Sequence, residues 1–473
     1  MVFSSPLFLF YFLPVVLILY YLVPRGQIFW KNLVLLVGSL FFYAWGEPVY
    51  VLLMLFSIAM DYGLGLWLEH EKRRGGHPGR VLALAVVLNL LLLGFFKYAN
   101  FLIGTVNGVT GAGLPLLEVS LPIGISFYTF QALSYIIDLY RGEVEVQRSI
   151  LNFGTYVSLF PQLIAGPIVR MKTVAGELQD RQETFPDFAA GVRRFTVGLA
   201  KKVLLANTAG EIWQTVLGME TGKLPVLTAW IGLAAFTFQI YFDFSGYSDM
   251  AIGLGRMFGF HFPENFRYPY TATSITDFWR RWHITLSTWF REYVYIPLGG
   301  NRKGLGKQIR NILIVWLLTG IWHGAGWNFV VWGLYFGVIL MMEKIGLLRL
   351  LEKAPVFLRH LYTMLLVMLS WAIFAFDSLG QGVQFIGALF GGGGRLWDGQ
   401  GVYLLYSSAV LLVLLILGST GLPRKAAALA GGKLRAHPAV FTAVELGLIL
   451  AGFVLCVAFL VDASYNPFLY FRF

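Results

Sequence analysis

Two histidines sit where an imidazole could take a proton from a reacting hydroxyl. His323 lies between two apolar stretches, in the run Gly320-Ile-Trp-His-Gly-Ala-Gly-Trp-Asn328. A neutral imidazole is an effective general base near neutral pH, and burial keeps it neutral by lowering its pKa. A polar ring at membrane depth is costly and usually lines a cavity or a pathway. We therefore predict that His323 is catalytic and that His283, in Arg281-Trp-His-Ile284, is a second catalytic candidate.

Neighbouring polar residues could support the same chemistry. The side chains of Trp322 or Asn328, or a backbone N–H, could stabilise an oxyanion formed during attack on a thioester. Asp243, Ser245 and Asp249 follow a long apolar run, where carboxylates could bind a cation or orient a histidine. The structural alternatives are a hydrogen-bonded helix end for these three residues and a hydrogen-bonded core histidine for His283. Neither is excluded by the spacing.

No resident metal or cofactor is expected. The chain has seven histidines, without an H-x-x-x-H pair, and one cysteine, Cys456, so the usual zinc ligand spacings are missing. A thioester such as acetyl-CoA or an acylated carrier protein would instead be a substrate.

The segment 247–310 is long, without a clean spanning run, and rich in aromatic and basic residues. Ser274 to Asp277 fits a helix N-cap. Four residues after it recur at helical spacing and share one face: Trp279, Trp282, Leu286 and Trp289. Three arginines lie on the other faces: Arg280, Arg281 and Arg291. This pattern predicts an amphipathic helix at the membrane surface, either as a plain interfacial helix or as a cationic binding surface for an anionic acyl donor.

The elements that position these residues must be membrane helices. Hydrophobic residues make up 57% of the chain and charged residues 13%, against about 25% charge in soluble domains. A bilayer core of about 30 Å needs roughly 20 apolar helical residues. The predicted spans are 6–24, 31–46, 49–69, 82–106, 120–140, 203–219, 225–246, 309–322, 328–343, 356–377, 403–419 and 440–461. The run 150–169 contains Pro161, Gly166 and Pro167, so we expect it to be re-entrant.

The basic residues indicate an orientation. The net charge of +11 is concentrated in clusters near Lys72, Arg193, Arg280–Arg310 and Arg424, which the positive-inside rule assigns to the cytoplasm. With twelve spans, both termini then face outwards. We attribute the positive charge to this topology and expect no nucleic-acid partner.

Several of these segments together resemble the signature of the membrane-bound O-acyltransferase (MBOAT) family. They are Phe160-Pro-Gln-Leu-Ile-Ala-Gly-Pro167, Tyr241-Phe-Asp-Phe-Ser-Gly-Tyr-Ser-Asp249, Asp277-Phe-Trp-Arg-Arg-Trp-His283, Tyr295-Ile-Pro-Leu-Gly-Gly300 and Leu317-Leu-Thr-Gly-Ile-Trp-His-Gly324. Their order and spacing cover most of the chain. The chain is most similar to the bacterial branch that contains the membrane subunit of alginate O-acetyltransferases.

The resemblance implies a fold and an activity. The fold would be an all-α polytopic membrane domain over residues 1–473, with roughly 11–12 spans, re-entrant and interfacial helices and a central tunnel. His323 would match the family's catalytic histidine and His283 its second characteristic one. A cytoplasmic thioester, acetyl-CoA or an acyl carrier protein, would donate an acetyl group. A serine-hydrolase-like partner outside the bacterial inner membrane would place it on an alginate-like polysaccharide.

The motifs leave other activities open. The same fold could transfer D-alanine to teichoic acid, or acylate a lipid or a protein. A glycan or acyl-donor transporter is a different class, although no second copy of either histidine motif supports the internal repeats typical of transporters. The segment Asn466-Pro-Phe-Leu-Tyr-Phe-Arg-Phe473 resembles the ending of D-alanylation partner subunits, which implies that Tyr470 is an acyl relay. The simpler interpretation is an aromatic membrane anchor.

Overall fold

The computed structural model describes residues 1–434, 437–462 and 469, and the regular elements in those ranges are all helical. The α-helices are α1 Leu13–Leu22, α2 Ile28–Ala44, α3 Tyr50–Arg73, α4 Pro78–Thr110, α5 Ile125–Arg141, α6 Ile150–Ser158, α7 Phe160–Leu163, α8 Met171–Gln179, α9 Phe185–Ala200, α10 Thr208–Leu217, α11 Val226–Met257, α12 Ile275–Trp279, α13 Ile284–Phe290, α14 Leu305–His323, α15 Trp327–Met342, α16 Leu348–Lys353, α17 Val356–Ala375, α18 Leu379–Leu389, α19 Gly399–Gly418, α20 Leu422–Leu434 and α21 Pro438–Asp462. Wider π-helical turns cover Phe8–Phe12, Lys201–Asn207, Arg291–Tyr295 and Glu343–Leu347.

Seven helices in the described ranges are long and apolar enough to cross a membrane. They are α3, α4, α11, α17, α19, α21 and the run Trp327–Lys353 that begins with α15. Each of the twelve predicted spans falls on a helix, and the other five helices are shorter or more polar. The predicted all-α polytopic membrane architecture is confirmed.

The predicted break in the run 150–169 is present. α6 ends at Ser158, Leu159 leaves the helical conformation, and α7 continues for only four residues. Pro161 lies in the first turn of α7, where its missing N–H costs little. Neither helix is long enough to cross a bilayer.

The chain packs as two compact units. The first contains residues 1–195 and 247–264, and the second contains residues 196–246 and, as far as they are described, 265–473. The expectation of one domain over residues 1–473 stays a prediction.

A buried polar cluster stabilises the first unit. Glu183 accepts hydrogen bonds from Lys31 (2.7 Å) and Tyr20 (2.5 Å), and Arg181 donates to Tyr20 (2.8 Å) and Asn32 (2.7 Å). Burial of these charges is tolerated because each is paired or hydrogen-bonded. The cluster therefore fixes the segment after α8 against α1 and α2.

A tight helical hairpin organises the second unit. α14 and α15 approach backbone to backbone, since a Cβ at Gly320 would lie 2.4 Å from the Phe329 carbonyl oxygen and one at Gly333 would lie 2.4 Å from that of Trp316. Small residues permit such close helix packing in membranes. The hairpin fixes the residues at its tip, where His323 lies.

The prediction of one amphipathic helix beginning near Ser274 is wrong. Ser274 does cap α12, accepting from the Asp277 N–H at 3.0 Å, but α12 ends at Trp279. His283 adopts a left-handed conformation (φ 45°), and α13 begins after it. A left-handed residue breaks a right-handed helix.

The aromatic residues of this segment lie in the protein core rather than in the membrane interface. Trp279, Trp282, Leu286 and Trp289 are each at most 7% exposed. Trp279 packs against Trp316 of α14 and Trp332 of α15, and Trp282 packs against Trp371 of α17 with ring centroids 5.0 Å apart. The helical spacing thus marked a core face.

Candidate active site

His323 is the last residue of α14, and the turn after it is fixed by glycines. Gly324 is fully extended, and α15 begins at Trp327. A Cβ at Gly324 would lie 2.1 Å from the Phe329 ring, so a larger residue there would displace that ring. The break beside the histidine, which the glycines predicted, is therefore present and tightly packed.

Aromatic rings surround the His323 imidazole. The ring centroids of Trp322, Trp332 and Phe374 lie 5.0, 4.9 and 5.6 Å from that of His323, each close to perpendicular. His323 is 7% exposed. Such walls exclude bulk water, which strengthens any electrostatic interaction within them.

A small cavity, here called the histidine cavity, adjoins this ring. Its volume is about 20 Å³, enough for roughly one water molecule. It is lined by Ile240, Asp243, Phe244, Trp282, His323, Trp332, Trp371, Phe374 and Leu469. Of the predicted site residues, the structure brings His323 and Asp243 together here.

His283 is held behind the wall of the histidine cavity. It is fully buried, and its Nδ1 lies 3.1 Å from the Asn265 Oδ1. An amide oxygen can only accept, so Nδ1 carries the proton and Nε2 is the basic nitrogen. The Phe244 ring packs 4.6 Å from the His283 ring and also lines the cavity.

The two histidines influence each other. His283 lies in a turn outside the seven spanning helices, and burial lowers its pKa well below the ordinary value, with a smaller contribution from His323. His283 is therefore neutral near neutral pH. The ring of Trp322 packs against both, 6.1 Å from His283 and 5.0 Å from His323.

Asp249 and Ser245 have different surroundings from Asp243. Asp249, in the first unit, accepts from Arg194 at 2.6 Å, and Arg194 also donates to Glu264 at 2.6 Å. Ser245 is buried, and its hydroxyl has no hydrogen-bond partner among the described residues. Neither residue lines the histidine cavity. We interpret Asp249 as part of a structural ion pair with Arg194.

Trp332 is a site residue that the sequence did not reveal. It lines the histidine cavity, and its buried indole N–H has no acceptor within the described part of the chain. Asn328 likewise has a buried Nδ2 without an acceptor there, but it does not line the cavity. Trp332 lies nine residues after His323 and on the next helix, so only the fold of the α14–α15 hairpin brings the two rings together.

A second, larger cavity is lined by two of the three arginines predicted to bind the donor, and we call it the donor cavity after that prediction. It has a volume of about 280 Å³ and is lined by Arg280, Arg291 and Lys344. Its aromatic wall consists of Trp279, Phe290, Tyr295 and Trp316. Arg281 does not line it and instead pairs with Asp277 at 2.9 Å.

Lys344 reaches this cavity because of the residue before it. The buried Glu343 accepts from the backbone N–H groups of Ile275 and Thr276, both at 2.8 Å. A carboxylate at a helix N-terminus satisfies otherwise unpaired donors. This contact joins the start of α12 to the end of α15 and so brings Lys344 beside Arg280.

Tyr470, the predicted relay, lies outside the described residues. Leu469, the residue before it, lines the histidine cavity.

Comparison with known proteins agrees with the motifs. The model of the membrane-bound O-acyltransferase family matches residues 144–380, which include both histidines and both cavities apart from Leu469. The probable alginate O-acetylase AlgI of Pseudomonas putida is 42% identical over the whole length of both chains.

The chain belongs to the MBOAT family.

Two further relatives of this MBOAT protein differ in their named activities. The peptidoglycan O-acetyltransferase of Helicobacter pylori is 35% identical over 83% of this chain and 80% of that protein. The teichoic acid D-alanyltransferase of Bacillus subtilis is 27% identical over 46% of this chain and 58% of that protein. The MBOAT protein is thus a multi-pass membrane protein and an acyltransferase, as predicted.

Proposed function

We propose that this MBOAT protein takes an acetyl group from a cytoplasmic thioester and passes it across a bacterial inner membrane for O-acetylation of an alginate-like polysaccharide. The observation that carries the proposal is the position of His323 in a small, aromatic-walled cavity. A volume of about 20 Å³ leaves no room for an extended acyl chain beside His323. The full-length similarity to a probable alginate O-acetylase supports the acceptor class.

His323 acts as the general base. It accepts the proton of the attacking hydroxyl while the hydroxyl oxygen forms a bond to the thioester carbonyl carbon. The C–S bond then breaks, and the proton passes to the leaving thiolate. Trp332 donates its indole N–H to the oxyanion that forms in between.

His283 is assigned a positioning role. Its Nδ1–H is bound by Asn265, and it packs on Phe244 and Trp322, which form or adjoin the wall of the histidine cavity. We assign it no proton transfer, because it does not line the cavity that His323 lines.

The donor cavity receives the thioester's phosphopantetheine arm. Its aromatic wall suits the uncharged arm, and the cations of Arg280, Arg291 and Lys344 suit a phosphate. Acetyl-CoA and an acylated carrier protein both present this arm, so either can be the donor substrate. Arg281 is left out of this role because it pairs with Asp277.

The acetyl group leaves through partners outside the membrane. Tyr470 accepts it and hands it to a serine-hydrolase-like acetyltransferase that modifies the polymer. A Tyr470→Phe variant should then abolish polymer acetylation, while hydrolysis of the thioester, in which water takes the place of the tyrosine hydroxyl, continues. Full polymer acetylation in that variant would remove the relay from the proposal.

Thioester turnover by the purified protein in nanodiscs tests the proposed function. Wild type and His323→Ala are compared with acetyl-CoA, acetylated carrier protein and D-alanylated carrier protein in turn. Turnover of an acetyl donor that disappears in His323→Ala is expected. Preference for the D-alanyl donor would reassign the protein to teichoic acid modification, and no turnover by folded protein supplied with partner extract would contradict an acyltransferase site at His323.

A further inference from the structure

A buried ion pair beside the histidine cavity holds part of the C-terminal segment. Asp243 in α11 pairs with Lys202 (2.7 Å), and its Oδ2 accepts the backbone N–H of Leu469 at 2.9 Å. Asp243 and Lys202 are 2% and 3% exposed. The carboxylate thus joins a cation from one part of the chain to a backbone amide more than two hundred residues away.

Close backbone packing explains why Lys202 reaches Asp243. A Cβ at Gly246 would lie 2.8 Å from the Gly198 carbonyl oxygen and 3.1 Å from the Lys202 nitrogen, so these segments touch without an intervening side chain. Lys202 lies in the π-helical turn Lys201–Asn207. Such turns occur mostly as single-turn irregularities and are frequent at functional sites.

The Lys202–Asp243 pair does more than neutralise two buried charges. A buried carboxylate is expensive unless it is paired and its other acceptor positions are filled. Lys202 occupies one side of Asp243, and the Leu469 amide occupies the other. The Leu469 amide therefore donates to a carboxylate that is already held in place by an ion pair.

The location of this contact connects it to the reaction. Asp243 and Leu469 both line the histidine cavity with His323. We propose that the Lys202–Asp243 pair is a docking clamp for the chain at Leu469, and that Leu469, when held there, forms one wall of the cavity during acyl transfer. The clamp positions and does not react. Its role in transfer rests on the proposed function, whereas the docking itself does not.

Cysteine labelling tests the docking directly. The only native cysteine is Cys456, so a Cys456→Ala, Leu469→Cys protein carries one reporter. Two double variants of this protein are compared. The Asn pair combines Lys202→Met with Asp243→Asn, which keeps an acceptor oxygen. The Leu pair combines Lys202→Met with Asp243→Leu, which does not. Maleimide labelling should be at least tenfold faster in the Leu pair. Equal rates in the two pairs would overturn the clamp.

The state of the core is checked separately. Native Cys456 is buried, and in the Leu pair it should stay slow to label if the protein is folded. Should the Leu pair unfold, the docking is tested by acetyl transfer instead, comparing Leu469→Pro, which removes the N–H without a change in the core, with Leu469→Ala, which keeps it.

The role of the clamp in acetyl transfer is measured as the ratio of the transfer activities of two variants. Leu469→Pro should lower acetyl transfer to the acceptor at least tenfold relative to Leu469→Ala, measured on protein in which Cys456 stays slow to label. Equal transfer by the two variants would overturn the role of the clamp in transfer. Loss of thioester turnover already in wild type would contradict the proposed function and leave the labelling result to decide the docking.

Discussion

The second unit contains two buried histidines whose surroundings differ. His323 ends a helix, is bordered by aromatic rings and lines a cavity. His283 sits in a left-handed turn, with Nδ1 fixed on Asn265, and it does not line that cavity. Burial alone therefore does not separate the proposed general base from the proposed positioning histidine. The structural difference between them is that only the His323 ring borders the cavity.

The same contrast holds for the acidic residues of one sequence motif. Asp243 lines the histidine cavity, whereas Asp249, six residues later in the same helix, pairs with Arg194. Six residues turn a helix by about 240°. The two carboxylates consequently face different surroundings although the sequence presents them as one cluster.

The largest expected effect separates the two histidines. His323→Ala should lower donor-dependent thioester turnover by about 10² to 10⁴-fold, because a general base contributes that much to the rate. His283→Gln, which keeps a polar side chain that can occupy the site of the imidazole, should lower it by about tenfold or less. Turnover by the purified variants at saturating donor provides the measurement.

A reversed order would break this comparison. If His283→Gln were the more damaging of the two at equal folded fraction, the cavity beside His323 would not be the reaction site. Size-exclusion profiles of both variants in the same detergent serve as the control for folding.

The second prediction concerns the donor that faces His323. Trp332→Phe keeps an aromatic ring in the wall and removes only the indole N–H. Loss of one oxyanion donor costs about 10² to 10³-fold in turnover number. We expect a fall at or somewhat below this range in kcat, with KM for the donor little changed. Trp282→Phe, on the same cavity, is the matched comparison.

A rise in KM alone, or an equal loss in both tryptophan variants, would assign Trp332 to packing. The distinction depends on the indole nitrogen, since phenylalanine fills most of the same volume in either position.

The sequence predicted the helices, and the helix break beside His323, better than the contacts between them. Long apolar runs identified the spanning helices because their length is set by the bilayer and not by tertiary contacts. The glycines around His323 predicted its helix break, since a residue without Cβ is needed for the close approach to Phe329.

The errors arose where tertiary contacts decide the local structure. The aromatic spacing from Trp279 to Trp289 fitted one helix, but the His283–Asn265 contact depends on a residue from another part of the chain and coincides with the break. Arg281 carried the same charge as Arg280 and was used for an ion pair instead. Lys344 and Trp332 had no local signal, because their roles come from the packing of α12, α14 and α15.

The third prediction sharpens the supporting role of His283. Asn265 Oδ1 accepts from His283 Nδ1 and from the N–H and hydroxyl of Thr285. Asn265→Ala would leave these buried donors without their acceptor, at a cost of about 1–3 kcal/mol for each unsatisfied group. We expect lower thermal stability and a roughly tenfold loss of turnover. Asn265→Asp, which keeps the acceptor, should be less destabilised near neutral pH, and equal destabilisation of the two would contradict this assignment.

The smallest expected effect concerns stability and pH. Burial, and to a lesser extent His323, lowers the pKa of His283 well below its ordinary value. In the unfolded chain a histidine titrates near about 6.5. Below that pH the unfolded chain binds a proton that folded His283 does not, so the free energy of unfolding falls as pH falls. At a pH one unit below 6.5 the loss is about 1.4 kcal/mol.

Thermal unfolding in one detergent, from slightly alkaline to mildly acidic pH, measures this loss in wild type and His283→Gln. Wild type should lose more stability on acidification, since glutamine does not titrate. The other titratable groups are shared, so the difference between the two slopes isolates His283. Equal slopes would mean that folded His283 accepts a proton as readily as the unfolded chain does. It would then be a titrating partner of His323, and the contrast between a reacting and a fixed neutral histidine would fail.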